Sequence, residues 1–144
     1  MDAARAAQLR DAWAARHRDL EAPTPGALAA VERLLIERVP DAASATALID
    51  ADGRRRIALL AGGALYLVWA VPAGVGRLEA ARCRRLPLQP VTIEVSDRLE
   101  AGGSVRHWWF ELEDEPLVFR AGNADEEAFA QALAAALGWA APIL

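Results

Sequence analysis

The pattern of apolar and polar positions divides the chain into a helical beginning, a long region of short strands and a helical end. Residues 3–20 and the segment between Pro25 and Pro40 both repeat apolar residues at helical spacing. Thr24 can cap the second helix, and a proline suits the first helical position. The pattern therefore predicts a helical hairpin, which forms a unit over residues 1–40 that packs on the sheet.

The period of the apolar residues changes to two after residue 44, which is typical of β-strands. Seven strands are predicted, over residues 45–50, 54–61, 64–71, 77–88, 91–99, 104–113 and 117–121. The fourth strand alternates poorly, so we expect a β-bulge near Arg84 and Arg85.

Three glycine-containing turns predict how neighbouring strands align. They are Asp52-Gly53, Gly62-Gly63 and Gly102-Gly103, each treated as a two-residue loop. The resulting opposed pairs are Leu48 and Ile57, Asp50 and Arg55, Leu60 and Leu65, Ala58 and Leu67, Val95 and Phe110, Ile93 and Leu112, Glu94 and Glu111, and Arg98 and His107. In this alignment Trp108 points inward, whereas His107 and Trp109 point outward.

One further helix is predicted after the strands, from Asn123 to Gly138. Asn123 is a favourable N-cap, Glu126 stands at the capping-box position, and acidic residues occupy the first turn. The apolar stripe of this helix consists of Phe129, Leu133 and Leu137. Such a stripe can close the open apolar end of a small curled sheet.

Seven antiparallel strands in meander order, followed by one amphipathic helix, resemble the pleckstrin-homology-like (PH-like) superfold. The runs ALLAGGALYLVWAV and RLPLQPVTIEV look like its short bacterial members. The resemblance covers residues 45–139 and rests on the order of elements rather than on a motif. It implies an α+β fold in which a seven-stranded antiparallel meander curls into a PH-like partly open barrel, capped by the C-terminal helix. The PH-like domain would occupy residues 45–140, and the N-terminal helical hairpin is additional to the family pattern.

In lipid-binding members of this superfold, basic residues of the first hairpin grip anionic headgroups. The corresponding residues here are Arg54, Arg55 and Arg56. The family's spaced pattern of basic residues is not met, and a solvated turn with Arg55 paired to Asp50 is the favoured interpretation.

Strands two and three carry apolar residues on both faces. One face contains Leu60, Leu65, Leu67, Trp69 and Val71, and the other contains Ile57, Leu59, Tyr66 and Val68. An antiparallel sheet commonly exposes one face to water, so the second apolar face needs a cover. The N-terminal hairpin is the expected cover, and a second subunit or a partner protein is the alternative.

Composition narrows the class of protein. A chain of 144 residues is long enough for one domain with a core of its own. Its net charge of −4 is unfavourable for a nucleic-acid binder, so no nucleic-acid partner is expected. A single cysteine, an N-terminus unlike a signal peptide and the lack of a membrane-length apolar run predict a cytoplasmic protein.

The segment His107-Trp108-Trp109 is the first candidate binding site for a protein partner. With Arg98 beside His107, an outward-facing Trp109 can anchor a partner. The alternative is that the N-terminal hairpin or Trp139 covers Trp109.

Arg82 and Arg84, on the fourth strand, are further candidates for partner binding. Residues 54–106 contain nine arginines and four acids, whereas residues 111–127 contain seven acids and one arginine. This separation of positive and negative charge along the chain favours one of three arrangements. Two oppositely charged surfaces of the protein face each other, an oppositely charged partner binds, or the chain associates with itself.

No pattern typical of an enzyme is present. The spacing of metal ligands, a phosphate-binding loop with its lysine and a GxSxG turn are all missing. A dyad of Cys83 and His107 is conceivable, but a lone cysteine in an apolar strand is more often a core residue. We therefore predict no catalytic residue, no metal and no cofactor, and expect a protein that is not an enzyme.

The expected function is that of a non-catalytic binding or scaffold module, which engages a protein partner or a second copy of the chain. Its surface would be the outer face of strands two to four or the region around Trp109. The first alternative is a small acidic dimeric chaperone of a bacterial secretion system, although the segment 72–90 leaves no room for the middle helix of that class. Binding of anionic lipid or phosphate through the first hairpin is a further alternative, so a membrane surface is a less favoured partner.

Overall fold

The structure is a computed structural model that describes residues 1–17, 22–72, 78–89, 91–112 and 116–139. This part of the chain contains helices α1 (Ala3–Ala15), α2 (Pro25–Arg38) and α3 (Ala124–Ala136), and strands β1 (Ser44–Ile49), β2 (Arg55–Ala61), β3 (Ala64–Pro72), β4 (Leu78–Pro87), β5 (Ile93–Glu100), β6 (Gly103–Glu111) and β7 (Pro116–Ala121). The predicted α+β class, with seven antiparallel strands and a C-terminal helix, is confirmed. The predicted end of the first helix and the predicted first residue of strand four lie outside the described residues.

The strands form two antiparallel sheets, each in sequential order. Strands β1 to β4 make one sheet, and strands β5 to β7 make the other. The end of β1 meets β7 through a bridge between Asp50 and Phe119 and through a backbone hydrogen bond of 2.8 Å from Ala51 N–H to the Val118 carbonyl. The two sheets are joined at this corner and are not closed into a continuous barrel.

The predicted register is confirmed for the hairpin of β2 and β3, where Leu60 lies opposite Leu65. The predicted register of β1 and β2 is wrong by one residue, because Leu48 lies opposite Arg56 rather than Ile57. The loop has three residues instead of two, and Asp50 N–H donates to the Arg54 carbonyl across it at 2.9 Å. A shift of one residue exchanges the faces of a strand, so Leu48 lies on the inner face together with Arg56.

The predicted register of β5 and β6 is wrong by two residues. The loop is Ala101-Gly102, and Gly103, with a φ of +117°, already belongs to β6. Glu94 therefore lies opposite Trp109 instead of Glu111. An even shift keeps every side chain on its predicted face, which is why the inward and outward sets remain correct.

His107 lies opposite Ser96 rather than Arg98. The register shift predicted near Arg84 and Arg85 is also wrong, because the irregularity in this hairpin falls between Val71 and Pro72.

The main core fills the space between the two sheets, and α3 packs into it. Its largest buried residues are Leu48, Leu65, Leu67, Trp108, Phe110, Leu117, Phe119, Phe129 and Leu133. Asn123 caps α3 by accepting a hydrogen bond from Glu126 N–H at 2.9 Å, as its position in the sequence predicts. Gly138, with a φ of +93°, follows the helix and suits its end.

A second core lies on the opposite face of the four-stranded sheet, under helices α1 and α2. It brings Trp13, Val31 and Leu35 from the helices against strand residues such as Ile57, Leu59 and Val68. Trp13 is fully buried, and its indole N–H donates to the Arg55 carbonyl at 2.9 Å. The helical hairpin thus supplies the cover that the doubly apolar strands require, and the outer face of this sheet is not an open partner surface.

Candidate partner-binding surface

The outer face of the three-stranded sheet carries a cleft of about 820 Å³, which we call the β5–β7 cleft. Its floor consists of side chains that alternate outward along the three strands, namely Glu94, Ser96, Arg98, His107, Trp109, Val118 and Arg120. None of these residues belongs to either core, and no described helix packs on this face. His107, Trp109 and Arg98, which the sequence identifies as candidate partner-binding residues, therefore line one cleft.

Trp109 is the large apolar side chain of the cleft, and 43% of its surface is exposed. It lies between Glu94 on β5 and Val118 on β7. Its indole N–H donates to Glu111 Oε2 at 2.7 Å, which fixes the orientation of the ring. A half-exposed indole held in place by a hydrogen bond loses little side-chain freedom when a partner covers it.

Charged side chains surround His107 in the same cleft. Arg120 donates to Glu100 Oε2 through Nε at 3.1 Å and through Nη2 at 2.9 Å, and the His107 Nε2 atom lies 3.4 Å from Glu100 Oε1. The hydrogen bond from Arg120 holds the pKa of the Glu100 carboxyl below its ordinary value. Arg98 is exposed and makes no ion pair with any described residue, so its guanidinium is available to a carboxylate of a partner.

Two further residues that line the cleft form a buried ion pair. Arg16 Nη2, at the end of α1, lies 2.8 Å from Glu126 Oε1 in the first turn of α3. Glu126 is fully buried and also accepts a hydrogen bond from Asn123 Nδ2 at 2.8 Å. Burial raises the pKa of the Glu126 carboxyl, and the charge of Arg16 opposes that rise. This pair ties the N-terminal hairpin to the C-terminal helix beside the cleft.

Arg82 and Arg84, the other two candidate partner-binding residues, lie on β4 and do not line the β5–β7 cleft. Both side chains are exposed and share the inner face of the four-stranded sheet, opposite Trp69 and Leu67 respectively. The structure thus separates the five candidates into two groups on different sheets.

The three candidate anion-binding arginines do not share one surface. Arg54 Nε lies 3.0 Å from Asp50 Oδ2, and Arg55 donates to the carbonyls of Arg16 and Gly53, so the predicted pairing of Arg55 with Asp50 is wrong. Arg56 is fully buried. An anion at the surface of this hairpin could therefore reach two of these guanidinium groups but not the third.

The partners of Arg56 explain why it is buried. Its Nη2 atom lies 2.9 Å from Asp50 Oδ2, and its guanidinium carbon lies 5.5 Å from the centre of the Trp69 ring. A carboxylate and an aromatic face together stabilise a buried arginine.

Cys83 and His107 do not meet. Cys83 packs against the core under the helical hairpin, and burial raises the pKa of its thiol, whereas His107 lies on the outer face of the other sheet. Among the described residues, no group of three or more His, Cys, Asp or Glu side chains is arranged to hold a metal ion. No helix in the same part of the chain is both long and apolar enough to cross a membrane.

Comparisons with protein-family models, with curated proteins and with solved structures find no match for this chain. The functional argument therefore rests on the geometry of the chain itself.

Sequence reasoning missed the functional neighbourhood of Arg16 and Glu126. The sequence predicts only a capping role for Glu126, and it gives no reason to single out Arg16. The sequence also predicts a solvated turn for Arg56, although Arg56 shares the inner face of β2 with Ala58 and Leu60. An acid at the third position of a helix gives a signal for capping, but no local pattern shows which distant cation reaches it.

Proposed function

We propose that this protein is a non-catalytic binding or scaffold module of PH-like architecture, which engages a protein partner through the β5–β7 cleft. The observation that carries the proposal is the half-exposed, hydrogen-bonded Trp109 on a sheet face that neither core uses. Exposed tryptophans beside arginine are frequent anchors of protein interfaces.

The element order and the corner between β1 and β7 support the PH-like architecture. Two sequential antiparallel sheets, joined at one corner and filled by a C-terminal helix, support a partly open barrel whose open side would lie between β4 and β5. The helical hairpin then serves as the outer cover of the four-stranded sheet.

The chemistry of the cleft favours a partner segment that carries both an apolar side chain and a carboxylate. Trp109 and Val118 form an apolar strip along the floor. His107 lies one same-face position away from Trp109 and Arg98 lies two, and both can receive an acidic group. A second copy of the chain is the other source of such a segment.

The alternatives receive less support. The secretion chaperones that the sequence also resembles interrupt their strands with a middle helix, whereas β4 occupies residues 78–87 here. Headgroup binding at the first hairpin would have to rely on Arg54 and Arg55, both of which already have partners, because Arg56 is buried.

Site-specific photo-crosslinking in the cells that make the protein tests the proposal. A photoreactive phenylalanine analogue at position 109 should give a discrete protein adduct, and the same analogue at position 36 should not. Ile36 is a matched control because it is a large apolar residue of similar exposure, 41% against 43%, on helix α2. Adducts of equal yield at both positions, or none at position 109, would refute the assignment. Light scattering on the purified chain distinguishes a partner from a second copy.

A further inference from the structure

Strand β4 forms an edge of the four-stranded sheet, and among the described residues only β3 pairs with it. The N–H of Leu88 donates to the carbonyl of Gly63 at 3.3 Å, and in the same register Leu86 lies opposite Leu65. Hydrogen-bonded and non-bonded pairs alternate along an antiparallel ladder. The backbone groups of even-numbered residues in β4 therefore point toward β3, and those of odd-numbered residues point away from it.

The free edge thus presents the backbone N–H and C=O groups of Ala81, Cys83 and Arg85. By this alternation none of the three bonds to β3, and outside the strand ladders no backbone hydrogen bond joins any of them to another described residue. Pro87, which lacks an N–H, follows them and ends the row of donors. Three successive outward residues form a template on which an extended segment can add as a further strand.

Arginine side chains surround this template. Arg82, Arg84 and Arg85 are all exposed, and Arg82 and Arg85 make no ion pair with any described residue. Arg38 at the end of α2 contributes a fourth positive charge, which acts on the thiol of Cys83. Arg82 and Arg84 lie on the same face of β4. In an added strand, the two residues opposite them would lie on that face, with one residue between them that points to the other face.

The positive charge of these arginines indicates which kind of segment can bind at the edge. A second copy of this chain would bring arginine against arginine, and like charges directly opposite one another are unfavourable. The same arginines that oppose self-pairing attract a strand with carboxylates at alternate positions. We propose that the β4 edge binds an extended acidic segment of a partner protein, which adds as a fifth strand to the four-stranded sheet. The edge is separate from the β5–β7 cleft, since none of these arginines lines that cleft.

A synthetic nine-residue peptide in which glutamate alternates with valine is the probe, with arginine replacing glutamate in a control peptide. Residue-resolved amide exchange, followed by nuclear magnetic resonance, should show that the peptide slows exchange at residues 81, 83 and 85. Exchange at residues 82 and 84 should not change, because those amides already bond to β3. Absence of binding at about millimolar peptide, or slowing without this alternation, would refute strand addition.

Two variants separate strand addition from simple charge attraction. Arg82→Glu combined with Arg84→Glu should weaken binding of the acidic peptide at least about tenfold and allow the arginine peptide to bind. Arg5→Glu, on helix α1, is the matched control and should leave the affinity unchanged.

Ala81→Pro removes one outward donor and leaves the ladder to β3 intact, so the fold should be retained and peptide affinity lost. Circular dichroism and the melting temperature check the fold. Undiminished binding by Ala81→Pro would show that the arginines attract the peptide without strand addition.

Trp109→Ala should bind the peptide normally, so failure of the proposal at this edge and failure of the proposal at the β5–β7 cleft are distinguishable.

Discussion

Replacing Arg16 by methionine should destabilise the protein far more than replacing its partner Glu126 by glutamine. The Arg16 side chain is 29% exposed, whereas that of Glu126 is 1% exposed. Arg16→Met leaves a buried carboxylate without its cation, and one-sided removal of a buried pair costs about 3–5 kcal/mol. We expect about 3 kcal/mol, the low end of that range, because Arg16 is only partly buried.

Glu126→Gln has the smaller effect for three reasons. Glutamine preserves the capping-box position, the amide costs less to bury than a carboxylate, and Arg16 can turn to solvent. We therefore expect a loss of no more than about 1 kcal/mol. The double variant should resemble Glu126→Gln rather than the sum of the two single variants.

The effect of Arg16→Met should also depend on pH. Burial raises the folded-state pKa of Glu126 above its ordinary value of 4.5. Such a group contributes stability below the unfolded pKa, and this contribution is lost as the pH rises through the folded pKa. Without Arg16 the folded-state pKa of Glu126 rises further. The loss of stability in Arg16→Met should therefore be largest at about pH 8 and should shrink toward about pH 5.

Urea unfolding followed by tryptophan fluorescence measures these free energies for the native chain, both single variants and the double variant. A loss of about 3 kcal/mol corresponds to a melting temperature about 10 °C lower in a domain of this size. Equal destabilisation by Arg16→Met and Glu126→Gln, or a defect of Arg16→Met that does not change with pH, would refute the reasoning.

Two further changes test how the helices are attached. Leu133→Asp places a charge in the core between the sheets, where Leu133 is fully buried, and should unfold the domain at a cost of several kcal/mol; a native melting temperature would show that α3 is peripheral. Trp13→Phe removes the hydrogen bond to the Arg55 carbonyl and should cost about 2–3 kcal/mol, with faster amide exchange in α1; unchanged exchange would mean that this contact does not hold the hairpin.

Local patterns in the sequence were sufficient to predict the elements and the faces of strands two, three, five and six. The period of apolar residues placed the three helices and seven strands of the described residues, because helix and strand periods differ and caps or glycines mark their ends. The apolar residues on both faces of strands two and three required a cover, and α1 and α2 supply it. The outward direction of His107 and Trp109 followed from the same alternation.

The registers were harder to predict because a glycine pair does not say which of its residues lies in the loop. The first hairpin uses a three-residue loop in which Gly53 takes a φ of +80°, and this places Leu48 opposite Arg56 on the inner face instead of opposite Ile57. The ion pair of Arg16 with Glu126 joins residues far apart in the chain, and only tertiary packing brings them together. Local patterns also do not show the separation into two sheets. The PH-like assignment, the cytoplasmic location and the partner stay predictions.

The affinity of the crosslinked partner for the native chain and for Trp109→Ala tests the central claim most directly. Purified partner should bind Trp109→Ala at least about 30-fold more weakly, as expected when an interface loses an anchoring tryptophan worth about 2 kcal/mol. Ile36→Ala, which removes an apolar side chain of similar exposure on α2, should bind like the native chain. Equal affinity for the native chain and Trp109→Ala, with folding intact, would contradict the assignment of the β5–β7 cleft as the binding surface.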